Sequence, residues 1–117
     1  MTEIKRISGS ARMSNAIITN GTIYLKGVTP QKDAGTTVGE QTVNVLAQID
    51  ELLATAGTSR DRVVQVTIWL KDIRDMAAMN DVYDQWIVKD CEPVRACVQA
   101  QLAQPYMLLE IRVIAVL

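Results

Sequence analysis

The stretch from Thr37 to Ala56 repeats its apolar residues with a period that only a helix satisfies. Val38, Thr42, Val45, Leu46, Ile49, Leu52, Leu53 and Ala56 form a single stripe at helical spacing. Thr36 or Thr37 can cap the start, with Glu40 as the reaching acid of a capping box. Gly57 suits the left-handed residue that closes a helix. A helix with one apolar stripe needs a partner surface, and the segments around it have the period of strands.

Glu3 to Ile7 reads as a short strand. Asn15 to Thr19 and Thr22 to Lys26 flank Asn20-Gly21, a two-residue hairpin signal because both positions tolerate positive φ. Arg62 to Lys71 follows the long helix, with Val64, Val66, Ile68 and Leu70 expected on one side and Gln65, Thr67 and Trp69 on the other. Asp75 is expected to cap a second helix running to about Val88, with Met76, Met79, Tyr83, Trp86 and Ile87 buried. A strand opening at Pro93 alternates strictly, and Met107 to Val116 forms the last strand. The order β-β-β-α-β-α-β-β gives an α+β fold over residues 1–117, a mixed six-stranded sheet with two helices on one face. At 117 residues, folding buries roughly two-thirds of the unfolded chain's surface, enough for a core.

The opposite face of the sheet is expected to carry Gln65, Thr67, Trp69, Arg95, Cys97, Gln99, Glu110 and Arg112. That mixture is too polar for a dry core and is read either as solvent-facing or as a subunit interface with wet clefts. On the Pro93 strand, Val94, Ala96 and Val98 would then lie on the helix side. If that strand pairs with the last one, Arg95 and Glu110 share a face. An arginine fixed on a strand is a forked, always charged donor matched to a carboxylate.

Several function classes drop out. The chain has no histidine, which removes Ser-His-Asp triads, Cys-His pairs and His-based metal sites. Acid-base work falls to Glu, Asp, Lys, Tyr, Cys or ordered water. The net charge of −1 disfavours nucleic acid as a partner. No apolar run is long enough to cross a membrane, and the first residues have no apolar core of a signal peptide. Cys91 and Cys97 form neither a disulfide framework nor a metal cluster, so a reducing, cytoplasmic setting is expected.

The chain resembles the reactive intermediate deaminase (Rid, YjgF-type) family over nearly its whole length. The resemblance is carried by Ser14-Asn15-Ala16-Ile17, Tyr24-Leu25-Lys26-Gly27, Gln41-Thr42, Val63 to Asp72, and Met79-Asn80-Asp81-Val82-Tyr83. Its most specific part is Pro93-Val94-Arg95-Ala96-Cys97-Val98-Gln99-Ala100, followed by Glu110-Ile111. The YoaB-like branch is the most similar. The resemblance implies a chorismate-mutase-like fold and a homotrimer whose sheets form a central barrel, with sites between subunits. It also implies hydrolysis of 2-imino and 2-enamino acids to 2-keto acids and ammonia, without metal or organic cofactor. The alternative is a non-catalytic, small-carboxylate-binding or regulatory member of the same family.

By the same resemblance, Arg95 binds the substrate carboxylate, Glu110 orients the attacking water, and Cys97 lines the pocket. Asn80 braces the site or satisfies buried backbone. Gly27 is either a point of close backbone approach to a ligand or an ordinary turn glycine. Two positions depart from the family pattern. Met13 stands where many members have an aromatic residue, and supplies an apolar wall without a ring. Lys26 stands where many have Ser or Thr; it can add a second cation for an acidic substrate, pair with an acid such as Glu110, or face solvent.

Overall fold

The computed structural model describes residues 2–117. Six strands form one sheet: β1 (Lys5–Ile7), β2 (Ala16–Thr19), β3 (Thr22–Leu25), β4 (Val63–Leu70), β5 (Val94–Gln99) and β6 (Leu109–Val116). The two helices are α1 (Val38–Ala56) and α2 (Met76–Trp86). In space the strands run β1-β2-β3-β6-β4-β5. All neighbours are antiparallel except β4 and β5, which are parallel and joined through α2.

Local chemistry sets the main boundaries. Asn20 and Gly21 have φ of 51° and 71°, the doubly left-handed turn whose twist suits a tight hairpin. Thr37 caps α1: its side chain accepts from the Glu40 N–H, and the Glu40 carboxylate accepts from the Thr37 N–H. That carboxylate also accepts from the Thr37 hydroxyl at 2.9 Å and the Thr36 N–H at 3.3 Å. The bonds it accepts hold the Glu40 carboxyl below its ordinary range, the one from the Thr37 hydroxyl being the largest cause. Gly57 closes α1 at φ 91°.

The helices cover one face of the sheet. The α1 stripe packs on Ile23, Val66, Ile68, Leu109, Ile111, Val113 and Ala115, all essentially inaccessible to solvent. Among the described residues, Gln41 is the one long polar side chain in this core. Its amide donates to the Gly35 and Tyr106 carbonyls at 3.1 and 2.8 Å, and its oxygen accepts from the Leu108 N–H at 2.8 Å. It therefore pins the loop entering β6. Gln41→Leu keeps the volume but strands buried polar groups, and is expected to cost about 3 kcal/mol in a denaturant titration. A loss below about 1 kcal/mol would mean that water replaces the amide.

The structure corrects several expectations. β1 starts at Lys5 rather than Glu3, and α2 ends at Trp86 rather than near Val88. Asp75 makes no capping bond. Asp72 instead accepts from the Arg74 N–H at 2.9 Å and caps a short 3-10 turn, Ile73–Asp75, that runs into α2. Val64 does not join Val66, Ile68 and Leu70: a register shift between Val63 and Gln65 gives the buried position to Val63 and leaves Val64 exposed.

The largest correction concerns β5. It pairs with β4, not with β6, at the edge of the sheet. Arg95, Cys97 and Gln99 are in register with Val66, Ile68 and Leu70, which puts them on the helix side. Val94, Ala96 and Val98 instead join Gln65, Thr67 and Trp69 on the open face. Glu110 and Arg112 are on that open face, paired with Trp69 and Thr67. Arg95 and Glu110 thus lie on opposite faces of one sheet, with β4 between their strands.

Candidate functional site

The arginine half is built by the edge strand and α2. Asn80 and Tyr83 are three residues apart, so they share a face of α2 and point together at β5. Asn80 Oδ1 accepts from Arg95 Nη1 at 2.7 Å, and the guanidinium carbon lies 4.8 Å from the centre of the Tyr83 ring. Asn80 is therefore a brace for Arg95. The hydrogen bond occupies one of five guanidinium donors, and the residue as a whole remains exposed. A cleft of about 430 Å³ opens beside it, lined by Tyr83, Ile87, Lys89, Glu92 and Pro93.

Cys97 follows Arg95 on the same side of β5 and is half-buried. Burial pushes its thiol pKa up, and the nearby Arg95 charge offsets this only in part. At neutral pH the thiol form dominates, which suits a pocket wall rather than a nucleophile. Tyr83 behaves alike: burial raises its pKa against the opposing pull of Arg95. It stays a neutral platform.

The carboxylate half is built by β6 and the end of the β2–β3 hairpin. Val28 bridges to Ile111 by two backbone hydrogen bonds, which lays Gly27 along β6 beside Glu110. A Cβ on Gly27 would stand 2.1 Å from Glu110 Oε2. Gly27 is thus a glycine because the Glu110 carboxylate occupies the place of its side chain. Neither expectation for this residue included that contact.

Met13, Lys26 and Gly27 line a cleft of about 450 Å³ on this side, with Arg12, Tyr24 and Arg112. Met13 is 54% exposed, an apolar wall left uncovered within the chain. Among the described residues the ion pairs are Arg60–Asp50 and Arg74–Asp72, so Lys26, Arg112 and Glu110 make none. No three His, Cys, Asp or Glu side chains among those residues converge to hold a metal ion. No helix among them is long and apolar enough to cross a membrane.

The seven residues expected from sequence therefore separate into two groups. Arg95, Asn80 and Cys97 belong to the edge of the sheet; Glu110, Gly27, Lys26 and Met13 belong to the hairpin side. Tyr83 and Arg12 were not foreseen. Tyr83 carried a usable signal, since it stands three residues after Asn80 on one helix; Arg12 lies in a loop and carried none.

The endoribonuclease L-PSP family model matches residues 3–117. The RutC family protein YoaB of Escherichia coli is 43% identical over 112 residues, 96% of each chain. The crystal structure of NMB1025, a YjgF-family protein of Neisseria meningitidis, superposes with a TM-score of 0.93 at 42% identity, covering 97% of this chain and 94% of that one. YyfA of Yersinia pestis, from the conserved Rid protein family, superposes with a TM-score of 0.88 at 28% identity over the full length of both chains.

Proposed function

Because the chain belongs to the endoribonuclease L-PSP family, with RutC, YjgF and Rid proteins as its relatives, we propose that it hydrolyses 2-imino and 2-enamino acids to 2-keto acids and ammonia. The observation that carries this reading is Arg95. It is a guanidinium held by Asn80 and Tyr83 at a cleft mouth, with donors left for a carboxylate.

The opposite placement of Arg95 and Glu110 bears on how a site is completed. A substrate bound to Arg95 of one copy meets Glu110 of another if a second chain covers the open face. That face supports such packing, with Val94 70%, Val98 47% and Tyr24 39% exposed. A row of exposed apolar side chains beside an unpaired strand edge suits burial against further copies. The assembly proposed is a homotrimer with the open faces turned inward as a barrel and the sites between subunits.

The chemistry asks little of the protein. The imine carbon is already electrophilic, and the substrate's carboxylate on Arg95 fixes its position. Glu110 accepts a proton from water as the oxygen bonds to that carbon. Glu110 returns that proton to the nitrogen, giving the carbinolamine; the carbinolamine's hydroxyl proton then passes through Glu110 to the nitrogen as the C–N bond breaks, leaving the carbonyl and ammonia. Atoms balance with one water consumed, and the acid-base work falls to Glu110 alone.

A coupled assay tests this. An amino-acid oxidase generates 2-imino acids from several amino acids, and imine loss is followed with and without the protein. Acceleration that falls at least tenfold in Glu110→Gln is expected. Saturable keto-acid binding with no acceleration would replace this reading with a non-catalytic carboxylate-binding member. A ribonuclease reading draws on the family's name, which a 30%-identical structure from Entamoeba histolytica also carries; the net charge of −1 and the lack of histidine oppose it.

A further inference from the structure

The cleft on the Glu110 side holds more positive charge than binding one carboxylate requires. Arg12, Lys26 and Arg112 line a single space of about 450 Å³, with Met13, Ile17 and Tyr24 as its apolar walls. Three parts of the chain bring the cations there, Arg12 coming from the loop between β1 and β2. Lys26 follows β3 and is held by its backbone N–H to the Asn15 carbonyl at 3.0 Å. Arg112 stands on β6 two residues beyond Glu110, on the same face.

Among the described residues none of the three cations is in an ion pair. Lys26 is half-buried rather than a free surface lysine. It is also next in sequence to Gly27, against which the Glu110 carboxylate lies. The one carboxylate nearby, Glu110, offsets only one of the three charges; the like charges left repel one another, and an anion in the cleft relieves that repulsion. The substrate's α-carboxylate is already assigned to Arg95, so the cleft's charge is left for a second anionic group.

Resting on the imine-hydrolase reading of this site, we propose that the preferred substrates are 2-imino acids with an acidic side chain. The α-carboxylate binds Arg95 and the side-chain carboxylate binds Lys26, with Arg112 as the nearby second cation. The stem between the two carboxylates passes Glu110 and lies against Met13. An aromatic wall in place of Met13 would narrow this passage, whereas the flexible thioether adapts to a short chain.

Binding of two stable keto acids tests the proposal without turnover. By titration calorimetry at low salt, the dianion 2-oxoglutarate is expected to bind about tenfold or more tighter than the monoanion 2-oxobutanoate, as a second charged hydrogen bond implies. Raised salt should narrow the ratio. Lys26→Met keeps the apolar stem and should reduce the preference to about twofold; Arg112→Met is the second variant, should Lys26→Met fold poorly. Equal affinities, or a preference unchanged in both variants, would overturn the acidic-substrate proposal and leave the hydrolase reading standing. If neither keto acid binds, while circular dichroism shows a folded chain, both readings fall together.

Discussion

Arg95→Ala is expected to lower kcat/KM for imine hydrolysis about a thousandfold while the chain stays folded. The variant removes a bidentate contact, and each hydrogen bond to a charged group is worth about 1.5–3 kcal/mol. Two such bonds set the scale. The fold should tolerate the change because Arg95 is exposed on an edge strand, and what it leaves behind, Asn80 and one face of Tyr83, can meet water. Arg95→Lys keeps the charge but loses the fork, and should recover no more than about tenfold. The opposite-face geometry adds a sharper check. Arg95→Ala and Glu110→Gln chains, each impaired alone, should exceed the activity of either when unfolded and refolded together, because some mixed sites then combine the intact halves. Turnover within tenfold of the parent in Arg95→Ala would end the carboxylate-anchor reading. Failure of the mixture to exceed the activity of either would end the two-chain site.

Gly27→Ala should reduce turnover about a hundredfold with almost no change in thermal stability. A methyl group there would stand 2.1 Å from Glu110 Oε2 and 3.2 Å from Glu110 Cδ, so something has to move. What yields is the free end of a flexible side chain, which costs the fold little. The carboxylate is displaced by about an ångström, and a misplacement of that size is worth roughly 10²-fold in rate. The effect should be far smaller in a Glu110→Gln background, since both changes act on one group. Equal losses in the two backgrounds would show that Gly27 acts on something other than Glu110. A large drop in melting temperature would show that the backbone, not the side chain, yields.

The elements were legible where one local rule governs. Asn20-Gly21 fixed the hairpin, Thr37 with Glu40 fixed the start of α1, and Gly57 fixed its end. The sheet's composition followed from alternation. On β5 the alternation was correct and its phase was not. Apolar residues on a strand usually turn towards the chain's own helices, which would bury Val94 and Val98. Here α2 overhangs the edge and offers Asn80 and Tyr83, so Arg95 takes the inner side and the valines turn out. Periodicity reports which residues share a side but not which side faces the helices, and on an edge strand that depends on a packing partner distant in sequence. The same limit explains Val64, displaced by a bulge that leaves no mark in composition. The site residues were identifiable by type, and their grouping into two halves was not, because it depends on β4 intervening between β5 and β6.

That intervening strand has a thermodynamic consequence. On the proposed reading, no single chain holds a whole site, so a ligand that touches both halves is also a tether between chains. Binding and assembly then share one free energy: dilution weakens apparent affinity, and ligand shifts the association equilibrium towards the oligomer. Substrate supply would regulate not only how often the site turns over but how many sites exist.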